Sequence, residues 1–126
     1  MADEASRLQY QAFCEHRLHF SRLFMQVSAF MLLIVIAAAA IVPMIDLLWW
    51  RWFKLGAGAV LAGTGFVLLR VSQQEDSYAR LLRRIEERNP ELLQAPLSAR
   101  YGARALVVAA FAAAGLALIA AGAMAA

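Results

Sequence analysis

Two long stretches of the 126-residue chain lack charged side chains altogether. Between residues 23 and 43, and again between residues 105 and 126, there is no Asp, Glu, Lys or Arg. Apolar runs of about 18 residues or more are typical of helices that cross a bilayer. Over the whole chain 63% of residues are hydrophobic and 17% are charged, which is too few charged side chains to cover a water-soluble domain of this size.

Residues that build cross-links or metal sites are also scarce. Cys14 is the only cysteine, so the chain forms no internal disulfide. The only two histidines, His16 and His19, share a helical face at a spacing of three, and Glu15 reaches His19 at a spacing of four. A metal site needs further converging ligands and supporting partners. We predict interfacial packing for both histidines and no metal or cofactor site, with metal binding between subunits as the alternative.

Sequence motifs of common enzyme classes are missing as well. The chain has no GxSxG, Walker loop, HExxH or paired-carboxylate motif. No acid, lysine or arginine falls at the middle of an apolar run, whereas proton-coupled transporters need ionisable relays within the membrane. We therefore predict that the protein is not an enzyme.

What is present is an alternation of apolar runs and polar segments, which we interpret as one membrane domain, 1–126. The predicted segments are a cytosolic amphipathic helix at 1–22, transmembrane spans at 23–42, 47–71 and 104–126, and a cytosolic helical segment at 72–103. Pro43 ends the first span, because the residue before a proline is pushed out of the α region. The short connection makes the first two spans antiparallel neighbours. The predicted fold class is all-α, a polytopic membrane protein with three transmembrane helices plus amphipathic cytosolic helices.

Aromatic and basic residues gather at the ends of these runs. The predicted membrane-interface anchors are Trp49, Trp50, Trp52, Arg22, Arg70 and Arg104. Residues 1–22 and 70–104 hold ten cations, whereas the 43–54 connection holds two, Arg51 and Lys54. The positive-inside rule then places the N-terminus in the cytoplasm and the C-terminus in the periplasm of a bacterial inner membrane. Because the cations flank apolar runs, the lipid bilayer is the predicted partner and nucleic acid is not.

Small residues follow helical spacing in the second and third spans. In the second span Gly58, Ala62 and Gly65 recur at i, i+4 and i+7, and Ala59 with Gly63 forms another small pair. In the third span an alanine occupies every fourth position from 105 to 125, including Ala109, Ala113, Ala117 and Ala121. Such faces let helix backbones approach closely within a membrane. They are the predicted helix-packing surfaces, against another span or against another copy.

Two amphipathic stripes lie near or outside the ends of the predicted spans. The stripe in the N-terminal segment contains Tyr10, Phe13, Arg17, Phe20 and Phe24. The stripe in the 72–94 segment contains Tyr78, Leu81, Leu82 and Ile85. We expect the second stripe to pack against the N-terminal helix. The N-terminal aromatics are expected either in a collar at the membrane interface or against this second stripe.

The phrase YQAFCEHRLHFSRLF ahead of two closely spaced spans resembles short bacterial proteins of the RipA and SLATT type. The likeness covers about residues 5–94, and the third span departs from it. It implies an oligomer, and SLATT proteins are thought of as pore-forming effectors. The three-span layout is also similar to the YidH-like family, which is related to small subunits of polyphosphate-polymerase complexes. That family carries an acid-Arg-Thr motif and a Trp-x-x-Arg, whereas this chain has Glu15, Arg17, Phe20 and Arg22 at a different spacing, so no functional residue carries over.

The predicted function is that of a small non-enzymatic integral membrane protein that self-assembles into a homo-oligomer, either a pore or channel or a membrane scaffold. The alternative is an accessory subunit that packs against a larger membrane protein complex. A third option is a lipid- or metal-binding subunit of an enzyme that uses His16 and His19.

Overall fold

The computed structural model describes residues 4–91 and 101–124, and the regular structure in these two ranges is entirely helical. Helix α1 spans Glu4–Ile41, a short 3-10 turn spans Val42–Met44, helix α2 spans Leu47–Arg88 and helix α3 spans Tyr101–Met124. Residues 92–100 of the predicted cytosolic segment, and Ala125 of the alanine row, lie outside the described residues. The predicted all-α class is confirmed.

Helices α1 and α2 are much longer than a membrane span requires. With 38 and 42 residues, they are about 57 and 63 Å long at a rise of about 1.5 Å per residue. The hydrocarbon core of a bilayer is only about 30 Å thick. The amphipathic segments predicted before the first span and after the second span are therefore continuous with those spans. The two helices extend together beyond one end of the spans as a helical stalk, formed by residues 4–22 of α1 and 72–88 of α2.

Each of the three helices contains a window of 18 residues that is apolar enough to cross a membrane. Most large apolar side chains in these windows point outward; Phe30 and Leu33 are both 64% exposed, and Leu106 is 72% exposed. An apolar surface this extensive is unstable in water and stable in lipid. Thr64, a buried hydroxyl within the α2 window, donates to its own helix at Val60 O over 2.8 Å, as polar groups in lipid must.

The connection between α1 and α2 turns at the predicted place. Helix α1 ends at Ile41, and Pro43 lies inside the 3-10 turn that Ile45 closes by donating its backbone N–H to Val42 O at 3.3 Å. Asp46 occupies the position before α2, but its side chain makes no capping hydrogen bond there.

Helix α2 is the central element, because it packs against both other helices. Its buried residues form one continuous stripe with helical spacing, made up of Gly58, Leu61, Thr64, Gly65, Leu68, Val71, Glu75, Ala79, Leu82 and Glu86. At the middle of this stripe, Leu68 and Val71 form an apolar core with Phe24 of α1, and Val107, Val108 and Phe111 of α3 pack against it. All three helices meet around this core.

Candidate functional site at the junction of three helices

A carboxylate occupies a core position next to the apolar core. Glu75 lies seven residues from both Leu68 and Leu82, on the buried stripe of α2, and is only 5% exposed. Burying a charged group is costly unless partners replace its hydration. The neighbouring helices must therefore supply those partners.

Both neighbouring helices contribute to the site around Glu75. Arg104 at the start of α3 donates from Nη1 to Glu75 Oε2, and its Nη2 donates to Ser21 Oγ of α1 at 2.8 Å. Arg17 of α1 places its Nε 3.8 Å from Glu75 Oε1. We call these four residues, one or two from each helix, the charged junction. Each of the three charged side chains is less than one-fifth exposed.

The charged junction adjoins the apolar core directly. The Arg104 guanidinium lies over the Phe24 ring, with 5.5 Å between Cζ and the ring centroid, and Phe24 is fully buried in that core. A guanidinium over an aromatic face gains a cation–π attraction. With two guanidiniums and one carboxylate, the junction carries a formal charge of +1 where the apolar windows end. This arrangement fixes the start of α3 against the other two helices.

Beyond the junction, aromatic side chains hold the stalk together. The Tyr78 ring of α2 stacks on His16 and Phe20 of α1 at centroid distances of 5.4 and 5.6 Å, and Phe13 lies 5.9 Å away. The expected packing of the two stripes is present at this point. His16 is thus part of an aromatic cluster, and His19 lies edge-on to Phe20 at 5.9 Å.

A second polar contact lies nearer the free end of the stalk. Tyr10 of α1 donates its hydroxyl to Glu86 Oε1 of α2 at 3.1 Å, and Glu86 is again a core position of the α2 stripe. Burial first, and then this hydrogen bond, raises the pKa of Tyr10 from 10.0 to about 12. The phenol therefore stays protonated and keeps donating throughout the physiological pH range.

No group of three or more His, Cys, Asp or Glu side chains with metal-binding geometry occurs among residues 4–91 and 101–124. Cys14 is a free, half-buried thiol. The predicted absence of a metal site, and the alternative of a site shared between subunits, both stay predictions.

Helices α2 and α3 approach each other closely through small residues. A Cβ on Gly58 would lie 2.8 Å from Gly115 O, and a Cβ on Gly115 would lie 2.5 Å from Ala62 N. A Cβ on Gly65 would lie 3.1 Å from Ala112 N. The predicted face formed by Gly58, Ala62 and Gly65 thus contacts α3 within the chain. Gly115 was not among the predicted packing residues. The sequence signal that could have identified it is its position as the only glycine in the middle of an alanine-rich span.

The alanine row of α3 has a different environment from the one its sequence suggests. Ala109, Ala113 and Ala117 are exposed and Ala121 is half-buried, because α2 instead contacts the adjacent face that contains Ala112, Gly115 and Ile119. On α2, Ala59 and Gly63 are exposed too, and a Cβ on Gly63 or Gly56 would meet nothing within 4 Å. Two small-residue surfaces therefore stay uncovered within one chain.

The predicted interface anchors divide into two groups. Trp49, Trp52, Arg22 and Arg70 are exposed at the ends of the apolar windows, and Trp50 is half-buried. Arg104 is different: it turns inward to the charged junction, because Glu75 and Ser21 offer it partners there. Its role in this structure is to join helices, and a headgroup contact is not needed to explain it.

Comparison with protein-family models, with curated proteins and with solved structures gives no match to this chain.

Proposed function

We propose that the chain is a non-enzymatic integral membrane protein that self-assembles into a homo-oligomer in a bacterial inner membrane. The observation that carries the proposal is the pair of small-residue surfaces left uncovered on α2 and α3. The glycines at 58, 65 and 115 are already used by the internal contact, so the exposed ones are available for another helix.

The two uncovered surfaces face away from the contact between α2 and α3. Successive helical residues are rotated by about 100°. On α2 the exposed Gly56, Ala59 and Gly63 lie to one side of the α3 contact, whereas Leu68 and Val71, which pack on Phe24 of α1, lie to the other side.

On α3 the exposed Ala113 and Ala117 lie nearly opposite the α2 contact at Gly115, with Ala109 beside them, whereas Val107 and Phe111 pack toward α1. We call the two exposed surfaces the small-residue faces, formed by residues 56, 59 and 63 of α2 and by residues 109, 113 and 117 of α3. Each face is a separate surface that a helix of a second copy can contact.

Small-residue surfaces favour helix association in lipid for a specific reason. Lipid tails are as apolar as leucine, so burial of large apolar side chains gives little preference for protein over lipid. Glycine and alanine let backbones approach, and the gain comes from close van der Waals contact. A helix of a second copy that packs on either small-residue face would make such contacts.

The orientation follows from charge. The stalk and the charged junction contain most of the cations, so the positive-inside rule puts them on the cytoplasmic side and the α1–α2 turn in the periplasm. The oligomer is then either a scaffold or a ring around a pore, with the resemblance to SLATT proteins favouring the pore.

The test is the mass of the purified protein in nanodiscs or native detergent. We expect a discrete homo-oligomer for the wild type and a monomer for Gly63→Leu, whose side chain covers the small-residue face of α2 without a clash inside the chain. Ala40→Leu, at an exposed position of α1 outside both faces, is the matched control and should keep the wild-type mass. Ion flux from vesicles then separates a pore from a scaffold.

A monomeric wild type would contradict self-assembly. The alternative, an accessory subunit of a larger complex, is favoured by exposed leucines on the stalk: Leu8 is 62% and Leu18 is 67% exposed outside the predicted span. Copurification with larger subunits in a fixed ratio would support that alternative.

A further inference from the structure

A groove on the α1 side of α2 lies in the half of the bundle nearest the α1–α2 turn. It has a volume of about 370 Å³ and is lined almost entirely by apolar atoms. Helix α1 contributes residues between 31 and 39, the turn contributes Val42, helix α2 contributes residues between 50 and 61, and helix α3 contributes Leu118. A volume of about 300–1,000 Å³ is typical of sites that hold small ligands. We call it the turn-side groove.

The sequence explains why the helices separate here. Toward the stalk, α1 presents large side chains to α2, including Phe20 and Phe24, and they fill the contact. Toward the turn, α1 presents Ala38 and Ala39 from a run of four alanines, opposite Phe53 and Ala57 of α2. Side chains this small cannot fill the same space, so a groove remains between the two helices.

A lysine lies at the mouth of the turn-side groove. Lys54 lines the groove, and its Nζ lies 5.1 Å from the ring centroid of Trp50. The Trp50 ring in turn stacks on Phe53 at 5.7 Å with an interplanar angle of 11°, and both rings line the groove. The ammonium therefore lies against the aromatic lining of the groove.

The charge of Lys54 is not balanced by the protein. Asp46 is the only acidic residue between positions 16 and 74, and no ion pair to Lys54 occurs within the described ranges 4–91 and 101–124. Arg51, three residues earlier on the same side of α2, adds a second cation. The end of the bundle near the turn therefore has an excess of positive charge directly above an apolar groove.

We propose that the turn-side groove binds one acyl chain of an anionic phospholipid, with the lipid phosphate at Lys54. On this side the groove runs from Met31 of α1 to Val42 of the turn, which is about 16 Å along the helix axis and about half of the hydrocarbon thickness. One leaflet's acyl chain therefore matches the groove in length and polarity. The anionic headgroup supplies the counter-charge that the protein lacks. This site does not depend on self-assembly, because its α2 lining does not include residues 56, 59 and 63 of the small-residue face.

The experiment uses Trp50 as a reporter inside the site. The Trp49→Phe/Trp52→Phe background leaves Trp50 as the only tryptophan, and the protein is reconstituted in phosphatidylcholine vesicles with increasing fractions of phosphatidylglycerol brominated on its acyl chains. Quenching gives the binding of the brominated lipid relative to phosphatidylcholine. We expect a preference for phosphatidylglycerol of about fivefold, from one interfacial cation acting on one lipid charge.

Two pairs of variants separate the site from general interface effects. Lys54→Gln should abolish the preference, whereas Arg51→Gln, an exposed cation outside the groove lining, should retain most of it. Ala38→Phe should fill the groove and reduce quenching by brominated lipids of either headgroup, whereas Ala40→Phe should not. Helix content and elution volume confirm that each variant is folded.

Three results would overturn the proposal. The first is identical quenching of Trp50 by brominated phosphatidylglycerol and by brominated phosphatidylcholine in the Trp49→Phe/Trp52→Phe background without further substitutions. The second is an equal loss of preference in Lys54→Gln and Arg51→Gln, which would indicate only a diffuse surface charge. The third is an equal effect of Ala38→Phe and Ala40→Phe, which would show that no chain occupies the groove. None of these results bears on the oligomeric state, which the mass measurement tests separately.

Discussion

Arg104, near the start of α3, donates a hydrogen bond to Glu75, which lies 29 residues earlier on α2 and is almost fully buried. The same guanidinium donates to Ser21 of α1, so one side chain connects all three helices at the level where the apolar windows end. Buried ion pairs add little net stability compared with apolar residues, but removing one partner leaves an uncompensated charge.

Glu75→Gln should therefore destabilise the protein strongly. The substitution leaves Arg17 and Arg104 without their carboxylate, and breaking a buried pair in this way costs about 3–5 kcal/mol. Unfolding of the detergent-solubilised protein by a denaturant measures the change. The matched control is Glu87→Gln, because Glu87 pairs with Arg83 at 3.5 Å on the exposed side of the stalk, with both side chains more than 60% exposed.

The control should change stability by no more than about 0.5 kcal/mol, as exposed helical pairs do. The double variant Glu75→Gln/Arg104→Met should recover part of the loss, because it removes one of the two unpaired charges. Equal stabilities of Glu75→Gln and Glu87→Gln would show that the charged junction is not important for the fold.

Gly115→Ala should weaken the contact between α2 and α3. The added Cβ would lie 2.5 Å from Ala62 N and 2.8 Å from Gly58 O, and backbone atoms cannot move aside as a flexible side chain can. Overpacking of this kind costs about 1–3 kcal/mol. Gly56→Ala is the control, because its Cβ meets nothing within 4 Å and the change favours helix by up to about 1 kcal/mol. Thermal unfolding in one detergent compares the two, and a Gly115→Ala protein as stable as wild type would contradict the close approach.

The helices and the turn could be predicted from the sequence because they depend on local patterns. Long apolar runs identify the three apolar helices, and Pro43 predicts the turn after Val42. The glycine spacing at 58 and 65 predicts a packing face, but it contains no information about which helix packs there. Helix α2 packs on the face of α3 that contains Gly115, which lies about half the chain away in sequence. The alanine row of α3 is therefore left exposed.

The charged junction was harder to predict for a physical reason. Arg17 is visible in the stripe of α1, but its partner Glu75 stands in a segment rich in charges, where a carboxylate usually faces water. Only its spacing of seven residues from Leu68 and Leu82 shows that it lies on the buried face. Arg104 was predicted to reach headgroups, since an arginine at the end of an apolar run usually does.

Alkaline pH should loosen the Tyr10–Glu86 contact. Burial and the hydrogen bond to Glu86 raise the pKa of Tyr10 from 10.0 to about 12, so the folded protein holds this proton more tightly than the unfolded chain. The corresponding stability is complete below pH 10 and is lost as the pH rises toward 12. Tyr10→Phe should show no such loss, and it should cost about 1.5–3 kcal/mol at neutral pH for a hydrogen bond to a charged group.

Tyrosinate absorbance against pH measures this ionisation directly. Subtracting the titration of folded Tyr10→Phe from that of the folded wild type gives the ionisation of Tyr10 alone. This ionisation should occur at a pH well above that of the tyrosines in the denatured protein. The difference in unfolding free energy between the two proteins should vanish over the same pH interval. A Tyr10 that titrates near 10 in the folded protein would contradict the contact.

Tyr78→Ala should open the stalk while leaving the spans intact. The Tyr78 ring contacts three rings of α1, and removing a buried aromatic costs about 3–5 kcal/mol, with a smaller loss for a half-buried one. The exposed hydrogen bonds of the stalk can be replaced by water, whereas backbone groups of the spans have no such alternative in lipid. Amide exchange should therefore accelerate in residues 4–20 and 76–88 and stay slow in the apolar windows.

Ser77→Ala, at the neighbouring exposed position, should leave both rates unchanged. If exchange accelerated equally in the spans, the stalk and the membrane bundle would have to unfold as one unit, and the aromatic cluster would then stabilise the whole protein.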